Sequence, residues 1–564
     1  MITDAGELML LPSPVNLEFT GGTFALPDDY SPTLNNAPNL KPEEYKLEIN
    51  TSGINIYSST PVGARYAGYT LAQITDCCKN MLPTLKIHDY PAFAKRAVML
   101  DVSRGRIWNM EHFKAIFRKL ASWKINHVQL YFEASFASSG NEEIWHNDAF
   151  LNSLELQELN EYAHKYGIEL SPCQNSFGHL TRFLISDSYR HLAEIPPGSG
   201  FEAWGKLTAV PQSLCPEDPG SLEFIQHIIS ELAPNFSSSI FNLGCDETID
   251  LGLGRSRKTV IECGIDRVFT DYVNKLCAVV RKMGLKPAVW ADFIQKNPES
   301  IQLLPPEMLY LVWGYDKDTP FNEWCRLMAK NQCDFWVCPG TSCWSSFFGD
   351  SYRRHCNLKL AAVAGTEYNA SGYMITEWGD GGHRQLWPPT LYALAEGAQS
   401  AWNASCEFMP EHAGYRAFGS CKLGRWLENA GNLERGLRDK GINTLFQDMH
   451  TPLFSFNEKN KPVHTSFYRE IEYKLAKLAG AIPQDLPDLL TQELQCLVKL
   501  ADIAVKRACL RREGRLENIK KLVPDMRKGI AEFRELWMAR SKPESLSASV
   551  SNYETVADEM ERCF

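Results

Sequence analysis

Phe241-Asn242-Leu243-Gly244-Cys245-Asp246-Glu247 is an apolar run that ends on two adjacent carboxylates, with Gly252 and Gly254 close behind. A short apolar strand that delivers acids to its C-terminal end is the repeating unit of a parallel (β/α)8 barrel, where the chemistry sits on that rim. If the acids continue the strand, they point to opposite faces and meet different surroundings. One can then lean toward a bound group while the other reaches a leaving group. An acidic strand-to-loop turn without chemistry would read the same, so the weight falls on the flanking sequence.

Outward from this run, from about Lys95, apolar strands alternate with amphipathic helices. The strand candidates are Arg96–Ser103, His127–Phe132, Ile168–Cys173, Ile240–Cys245, Pro287–Ala291, Leu309–Gly314, Asp334–Pro339 and Gly372–Gly379. Helical spacing appears in Glu111–Ser122, Leu154–Tyr166, Leu222–Leu232, Arg267–Met283 and Phe321–Asn331. Eight β/α units over roughly 310 residues fit a TIM barrel of about 250 residues plus insertions. A doubly wound sheet alternates in the same way, but no Gly-x-Gly-x-x-Gly follows the first strand.

The flanks differ in texture. Residues 1–92 hold half-exposed alternations such as Tyr45–Ile49 and Gly53–Tyr57, then a helical pattern near Ala64–Asn80, and read as an α+β accessory domain. Residues 93–403 form the barrel, and residues 404–564 read as a helical domain. In that domain Leu489–Arg511, Leu516–Met538 and Val550–Cys563 carry apolar residues at helical spacing. Pro524 places a start or a kink inside the second of these.

Composition narrows the function classes. The 564 residues carry a net charge of −10 and no basic run, which argues against nucleic acid or an anionic membrane as partner. No stretch approaches the ~20 apolar residues that span a bilayer. Met1–Leu11 contains Asp4 and Glu7 and lacks a basic start, unlike a secretory leader. The cysteines number 17, an odd count, and Cys173, Cys245 and Cys338 fall inside apolar strands as small hydrophobes would. The chain therefore reads as cytoplasmic, with export after removal of a leader as the alternative. Cys338 and Cys343 are better placed as a core thiol and a loop thiol than as metal ligands, and no zinc spacing occurs.

The strand ends assemble a constellation. They supply Arg104 after strand one, Glu133 after strand two, Asn175 and His179 after strand three, and Asp246 and Glu247 after strand four. Strand five supplies Trp290 and Asp292, strand six Trp313, and strand eight Trp378 and Asp380. Aromatic walls stack on the apolar faces of a pyranose, while Arg and Asp bind its hydroxyls in fixed geometry.

Over roughly residues 10–400 the chain resembles the β-N-acetylhexosaminidases of glycoside hydrolase family 20. The resemblance rests on Glu44-Tyr45-Lys46-Leu47, Gly53-Ile54 and Gly63-Ala64-Arg65-Tyr66-Ala67-Gly68-Tyr69-Thr70-Leu71 in the accessory domain. It continues through Ile87-His88-Asp89-Tyr90-Pro91-Ala92-Phe93, Arg96 and Leu100-Asp101-Val102-Ser103-Arg104 to the Asp246-Glu247 pair. It implies a retaining, substrate-assisted exo-hydrolysis of terminal β-linked N-acetylglucosamine or N-acetylgalactosamine, without a cofactor or metal. Glu247 would be the general acid/base and Asp246 the group that polarises the 2-acetamido substituent. Arg104 and Asp380 would bind hydroxyls, Trp290, Trp313 and Trp378 would wall the pocket, and Glu133 and His179 would support the pair.

The departures are local. Asn242 stands where the family has His, and Cys245 where it has Gly. No Tyr on strand seven matches the family's acetamido-oxygen donor, which leaves Trp344 or Tyr315 to fill that place. An O-GlcNAc-removing hydrolase is a rival with related chemistry, but it would carry Asp-Asp here. A glycan-binding protein on an inactive barrel is the rival from another class. The helical tail caps its own barrel or that of a neighbour, the second arrangement implying a homodimer.

Overall fold

The computed structural model describes residues 8–562 except 147, 197, 204–205 and 454–464. Residues 1–7 of the Met1–Leu11 segment and Cys563 of the expected last helix lie outside the described residues.

The chain begins with a five-stranded sheet of β1 (Asn16–Ala25), β2 (Thr33–Asn36), β3 (Tyr45–Asn50), β4 (Gly53–Ser58) and β5 (Met81–Asp89), in the order β1-β5-β3-β4-β2. Helix Pro61–Cys78 packs on one face, started by the Thr60 side chain accepting from Gly63 N–H and by Pro at its first position. One half-buried and one fully buried charged contact seat this unit against the barrel. The Arg96 guanidinium meets Glu43 at 2.7 Å, and Lys124 meets Asp89 at 2.8 Å.

The barrel comprises β6 (Lys95–Asp101), β7 (His127–Phe132), β8 (Glu169–Gln174), β11 (Ile240–Asn242), β12 (Lys286–Trp290), β13 (Leu309–Trp313), β14 (Asp334–Cys338) and β15 (Gly372–Glu377). All pair in parallel, and β15 pairs with β6 to close the ring. A hairpin of β9 (Phe201–Ala203) and β10 (Lys206–Thr208) sits in the long loop after β8. Side-chain alternation divides the strands into two layers. Ala97, Met99, Tyr131, Ala288, Trp290, Leu311, Trp336 and Met374 fill the lumen. Val98, Leu100, Val128, Leu130, Val289, Val312, Val337 and Ile375 face the helices. This is the (β/α)8 architecture that the alternation predicts.

Two expectations change. The fourth strand ends at Asn242 rather than Cys245, because its amide side chain turns back to accept from Gly244 N–H. Gly244, Cys245 and Glu247 then adopt φ of 68°, 65° and 48°, left-handed values that break the strand. The stretch 516–538 is also not one helix: a 3-10 turn Leu516–Leu522 precedes helix Val523–Met538, with Pro524 in its first turn.

Helices dominate after Pro410, chiefly Pro410–Phe418, Cys421–Gly431, Ser466–Gly480, Asp488–Arg512, Val523–Met538 and Leu546–Arg562. Their buried side chains join the barrel's outer layer in one apolar core. Among the described residues no helix is long and apolar enough to cross a membrane.

Candidate active site

The loops at the C-terminal ends of the strands bring every expected site residue to one rim. A path of contacts runs around it and closes on itself. His179 Nε2 lies 3.4 Å from both Asp246 Oδ2 and Glu247 Oε2. Its Nδ1 faces Glu133 Oε1 at 3.9 Å, and Glu133 meets Arg104 Nη2 at 3.1 Å. Arg104 Nη1 donates to Asp380 Oδ1 at 3.2 Å, and its guanidinium stacks 4.9 Å from the Trp378 ring. Trp378 neighbours Trp290 at 5.8 Å, and its Nε1–H donates to the Tyr315 hydroxyl at 2.8 Å. Tyr315 stacks on Trp313 and meets Trp344 edge-on, both at 5.2 Å. Trp313 Nε1–H reaches Asp292 Oδ1 at 3.4 Å, and Asp292 Oδ2 accepts from Glu247 N–H at 3.2 Å.

The two acids are unequal, but not by strand alternation. Both converge on His179, itself left-handed at φ 54°, and they differ in burial: the Asp246 side chain is 8% exposed and that of Glu247 32%. Left-handed non-glycine residues store strain that packing must hold, and here three of them orient the acids and their shared histidine. Gly178 makes this possible, since a Cβ there would lie 2.4 Å from the Asp246 carbonyl oxygen. Asp246 Oδ1 is buried and has no hydrogen-bond partner, a costly state that a bound donor would relieve.

The charges are interlocked. Burial opposes the His179 imidazolium, but the Asp246 charge and contacts with both acids raise its pKa to about 10, so it is cationic at neutral pH. Burial, then the charge of Asp246, pushes Asp292 up to about 7. Burial also works against the Arg104 charge, yet Tyr131, Glu133, Asp101 and Asp380 hold its pKa well above the usual range. Burial keeps the Tyr315 and Tyr131 hydroxyls protonated.

One participant, Tyr131, exceeds the expected set, and two that the sequence offered without a fixed role, Asp292 and Tyr315, gain definite contacts. Tyr131 donates to Glu133 Oε1 at 2.9 Å and accepts from Asn175 Nδ2 at 2.6 Å, tying β7 to β8 beneath Arg104. Its signal was its place two residues after Gln129 in an inward-facing register. Asp292 accepts from the Glu247 backbone N–H, and Tyr315 stands in the aromatic wall between Trp313, Trp344 and Trp378. Trp344 meets Tyr315 edge-on and packs against the same lumen cluster. Cys338 and Cys343 are both buried thiols, and no group of three or more metal-binding side chains occurs among the described residues. A separate cavity of about 630 Å³ opens away from this rim, lined by residues such as Tyr69, His112, Trp387 and Arg540.

Comparison with known proteins points to one family. The family description "Glycosyl hydrolase family 20, catalytic domain" matches residues 93–348, and "Glycosyl hydrolase family 20, domain 2" matches residues 27–90. The catalytic match stops before β15, so Trp378 and Asp380 enter the site through the closed barrel alone. A beta-hexosaminidase of Vibrio furnissii is 25% identical over 309 residues, 44% of this chain and 50% of that protein. Hexosaminidase D of Homo sapiens is 23% identical over 308 residues, 51% of this chain and 60% of that protein. The alignments thus span about half to three-fifths of the length of these curated relatives. The structure of Flavobacterium johnsoniae chitobiase has the same fold, with a TM-score of 0.60 at 15% identity, covering 92% of this chain and 96% of that one.

Proposed function

The chain belongs to glycoside hydrolase family 20, and from its rim we propose an exo-acting β-N-acetylhexosaminidase that works by substrate assistance. The observation that carries this reading is the unpaired, buried Asp246 Oδ1 beside a histidine shared with Glu247. An acetamido N–H is the donor that such an oxygen lacks.

In this reading a terminal β-linked N-acetylglucosamine or N-acetylgalactosamine enters with its ring against Trp378 and its hydroxyls on Arg104 and Asp380. Trp290 and Trp313 wall the acetamido group, with Trp344 behind them. The Tyr315 hydroxyl, already accepting from Trp378, donates a hydrogen bond to the acetamido oxygen, keeps its proton, and aims that oxygen at the anomeric carbon. That oxygen attacks C1 as Glu247 protonates the departing glycosidic oxygen. The oxazolinium ion that forms carries positive charge on nitrogen, which the Asp246 carboxylate stabilises as it develops. Glu247 then takes a proton from water, whose oxygen attacks C1 and reopens the ring with net retention. His179 holds both carboxylates, and Glu133 backs its other nitrogen.

The substrates would be glycans or glycoconjugates that end in these sugars, and no cofactor enters the scheme. We also propose a reducing compartment; the unpaired thiols among the described cysteines support it. The test is hydrolysis of p-nitrophenyl N-acetyl-β-glucosaminide with the configuration of the first-formed sugar read by NMR. Release of the β-anomer supports the scheme. No hydrolysis, or release of the α-anomer, overturns it.

A further inference from the structure

Arg104 and Asp380 are followed at once by glycines, Gly105 in one loop and Gly381-Gly382 in the other. The two loops come from the first and last barrel strands, and both are pinned from behind by the same turn of the last helix, Leu546–Arg562. The Ser549 hydroxyl lies 2.6 Å from Gly382 O and 3.1 Å from Gly105 O, bridging the loops. Asn552 Nδ2–H reaches Gly381 O at 3.4 Å, and the Tyr553 hydroxyl donates to Arg384 O at 3.0 Å. The fit is close as well as polar. A Cβ on Gly105 would lie 2.9 Å from Ala548 Cβ, and one on Gly382 would lie 2.7 Å from Ala548 O. Both glycines have positive φ, 86° and 105°, so the loop shape and the helix seat are set together.

The approach to this seat is also fixed. Asn109 N–H donates to Arg540 O at 3.0 Å and Lys542 N–H to Ile107 O at 2.8 Å, a two-stranded contact between the loop after β6 and the segment before the last helix. Arg106 donates to His383 O and Gln385 O at 3.3 and 2.6 Å, and its guanidinium stacks on Trp537 of the preceding helix. The two loops are also joined to each other, since Gly379 N–H donates to Asp101 Oδ2 and the His383 ring meets Asp101 O, both at 2.9 Å, and the helical domain braces that joined pair from behind.

We infer that Ser549, with Ala548 beside it, is a positioning element for the sugar clamp: the C-terminal helix sets the Arg104–Asp380 geometry without touching substrate. The inference rests on the reading of that pair as the binder of the terminal sugar's hydroxyls. Its consequence is a division of labour in which the last helix governs recognition of the terminal sugar and leaves the acid pair alone.

The experiment uses the full chain and three variants, Ser549→Ala, Ala548→Leu and Ser549→Thr, with melting temperature, KM and kcat on p-nitrophenyl N-acetyl-β-glucosaminide and its galacto epimer. A shift of about an ångström in a positioning group costs up to ~10²-fold. Ser549→Ala is expected to raise KM by roughly 3- to 10-fold and Ala548→Leu by more, with the ratio of kcat/KM for the two epimers moving toward unity. Ser549→Thr keeps a hydroxyl and should restore both. Sensitivity to leaving-group pKa should stay as in the wild type, because Glu247 is untouched. Lower melting temperature with unchanged KM and epimer ratio in the folded enzyme would make the helix merely structural and overturn the inference. Should Ala548→Leu fail to fold, the two Ser549 variants decide. Calorimetric titration with N-acetylglucosamine repeats the comparison without turnover. A wild type that binds the sugar but does not hydrolyse the glycoside would sink the proposed activity alone, and the affinities of the variants would then judge the clamp. A wild type that does neither overturns both.

Discussion

The acid side of the rim and the clamp side are built in different ways. Asp246 and Glu247 are oriented locally, by left-handed residues at Cys245, Glu247 and His179 and by the Asn242 side chain turning on its own loop. Arg104 and Asp380 sit in loops held by a helix more than 160 residues further along the chain, through Ser549 and Tyr553. In the proposed scheme, strain held by neighbours fixes the groups assigned to bond cleavage, whereas a remote buttress fixes the pair assigned to recognition of the sugar. A change on one side should therefore alter bond cleavage, and on the other side should alter binding.

The largest effect is expected on the acid side. Glu247→Gln should lower kcat/KM for unactivated glycosides by ~10²–10⁴-fold, the usual contribution of a general acid. Dinitrophenyl glycosides, whose leaving group needs no proton, should lose far less in the first step. Equal losses on both substrates would dissolve the distinction between the two sides.

Arg104→Lys probes the clamp. Lysine keeps the charge but cannot reach Asp380 and Glu133 together as the planar fork does. Losing one charge-assisted contact predicts a fall in kcat/KM of about 10- to 100-fold, this time equal for good and poor leaving groups. A loss confined to poor leaving groups would place Arg104 in proton transfer rather than recognition.

The smallest effect is expected at Asp292, which touches the acid loop from β12's end. Its pKa is raised to about 7, so the folded state holds a proton that the unfolded chain releases near its ordinary value of ~3.9. The stability this gives is full below that lower value and is lost as pH rises through about 7. Asp292→Asn imitates the neutral form. It should leave kcat nearly unchanged at mildly acid pH, and remove the part of the decline in melting temperature that wild type shows toward pH 7. An unchanged pH dependence of melting would mean that Asp292 does not titrate in this range.

Most of the fold was legible because barrel strands and their helices announce themselves by period. All eight strands lie within a few residues of their expected places, since each is an apolar run bounded by helical spacing. The run Ile240–Cys245 reads too long because a left-handed cysteine has no sequence mark, although Gly244 was a hint of a turn. In the first domain β1, β2 and β5 escaped notice: β1 is almost wholly exposed and is interrupted by an irregularity between Phe19 and Thr23, where Gly21 and Gly22 fall, so it has no buried stripe to read. The rim residues were legible because the strands fix where their C-terminal ends lie. Tyr131, inside a buried strand, looked like core, and Tyr315 gained its place only when the aromatic wall was assembled. The hold of Ser549 on Gly105 and Gly382 was beyond reach, because nothing local to residue 549 refers to a loop near residue 105.

In the proposed mechanism the substrate's own acetamido oxygen is the nucleophile, held by Tyr315 and Asp246. The most direct measurement is kcat/KM for p-nitrophenyl β-glucosaminides bearing N-acetyl, N-fluoroacetyl, N-difluoroacetyl and N-trifluoroacetyl groups. Each fluorine withdraws electron density from the carbonyl oxygen and weakens its attack while the leaving group stays constant. A steep, monotonic fall across the series is expected, together with tight competitive inhibition by the thiazoline analogue of the oxazolinium ion. A flat series, with a covalent glycosyl-enzyme trapped by a fluorosugar, would contradict it.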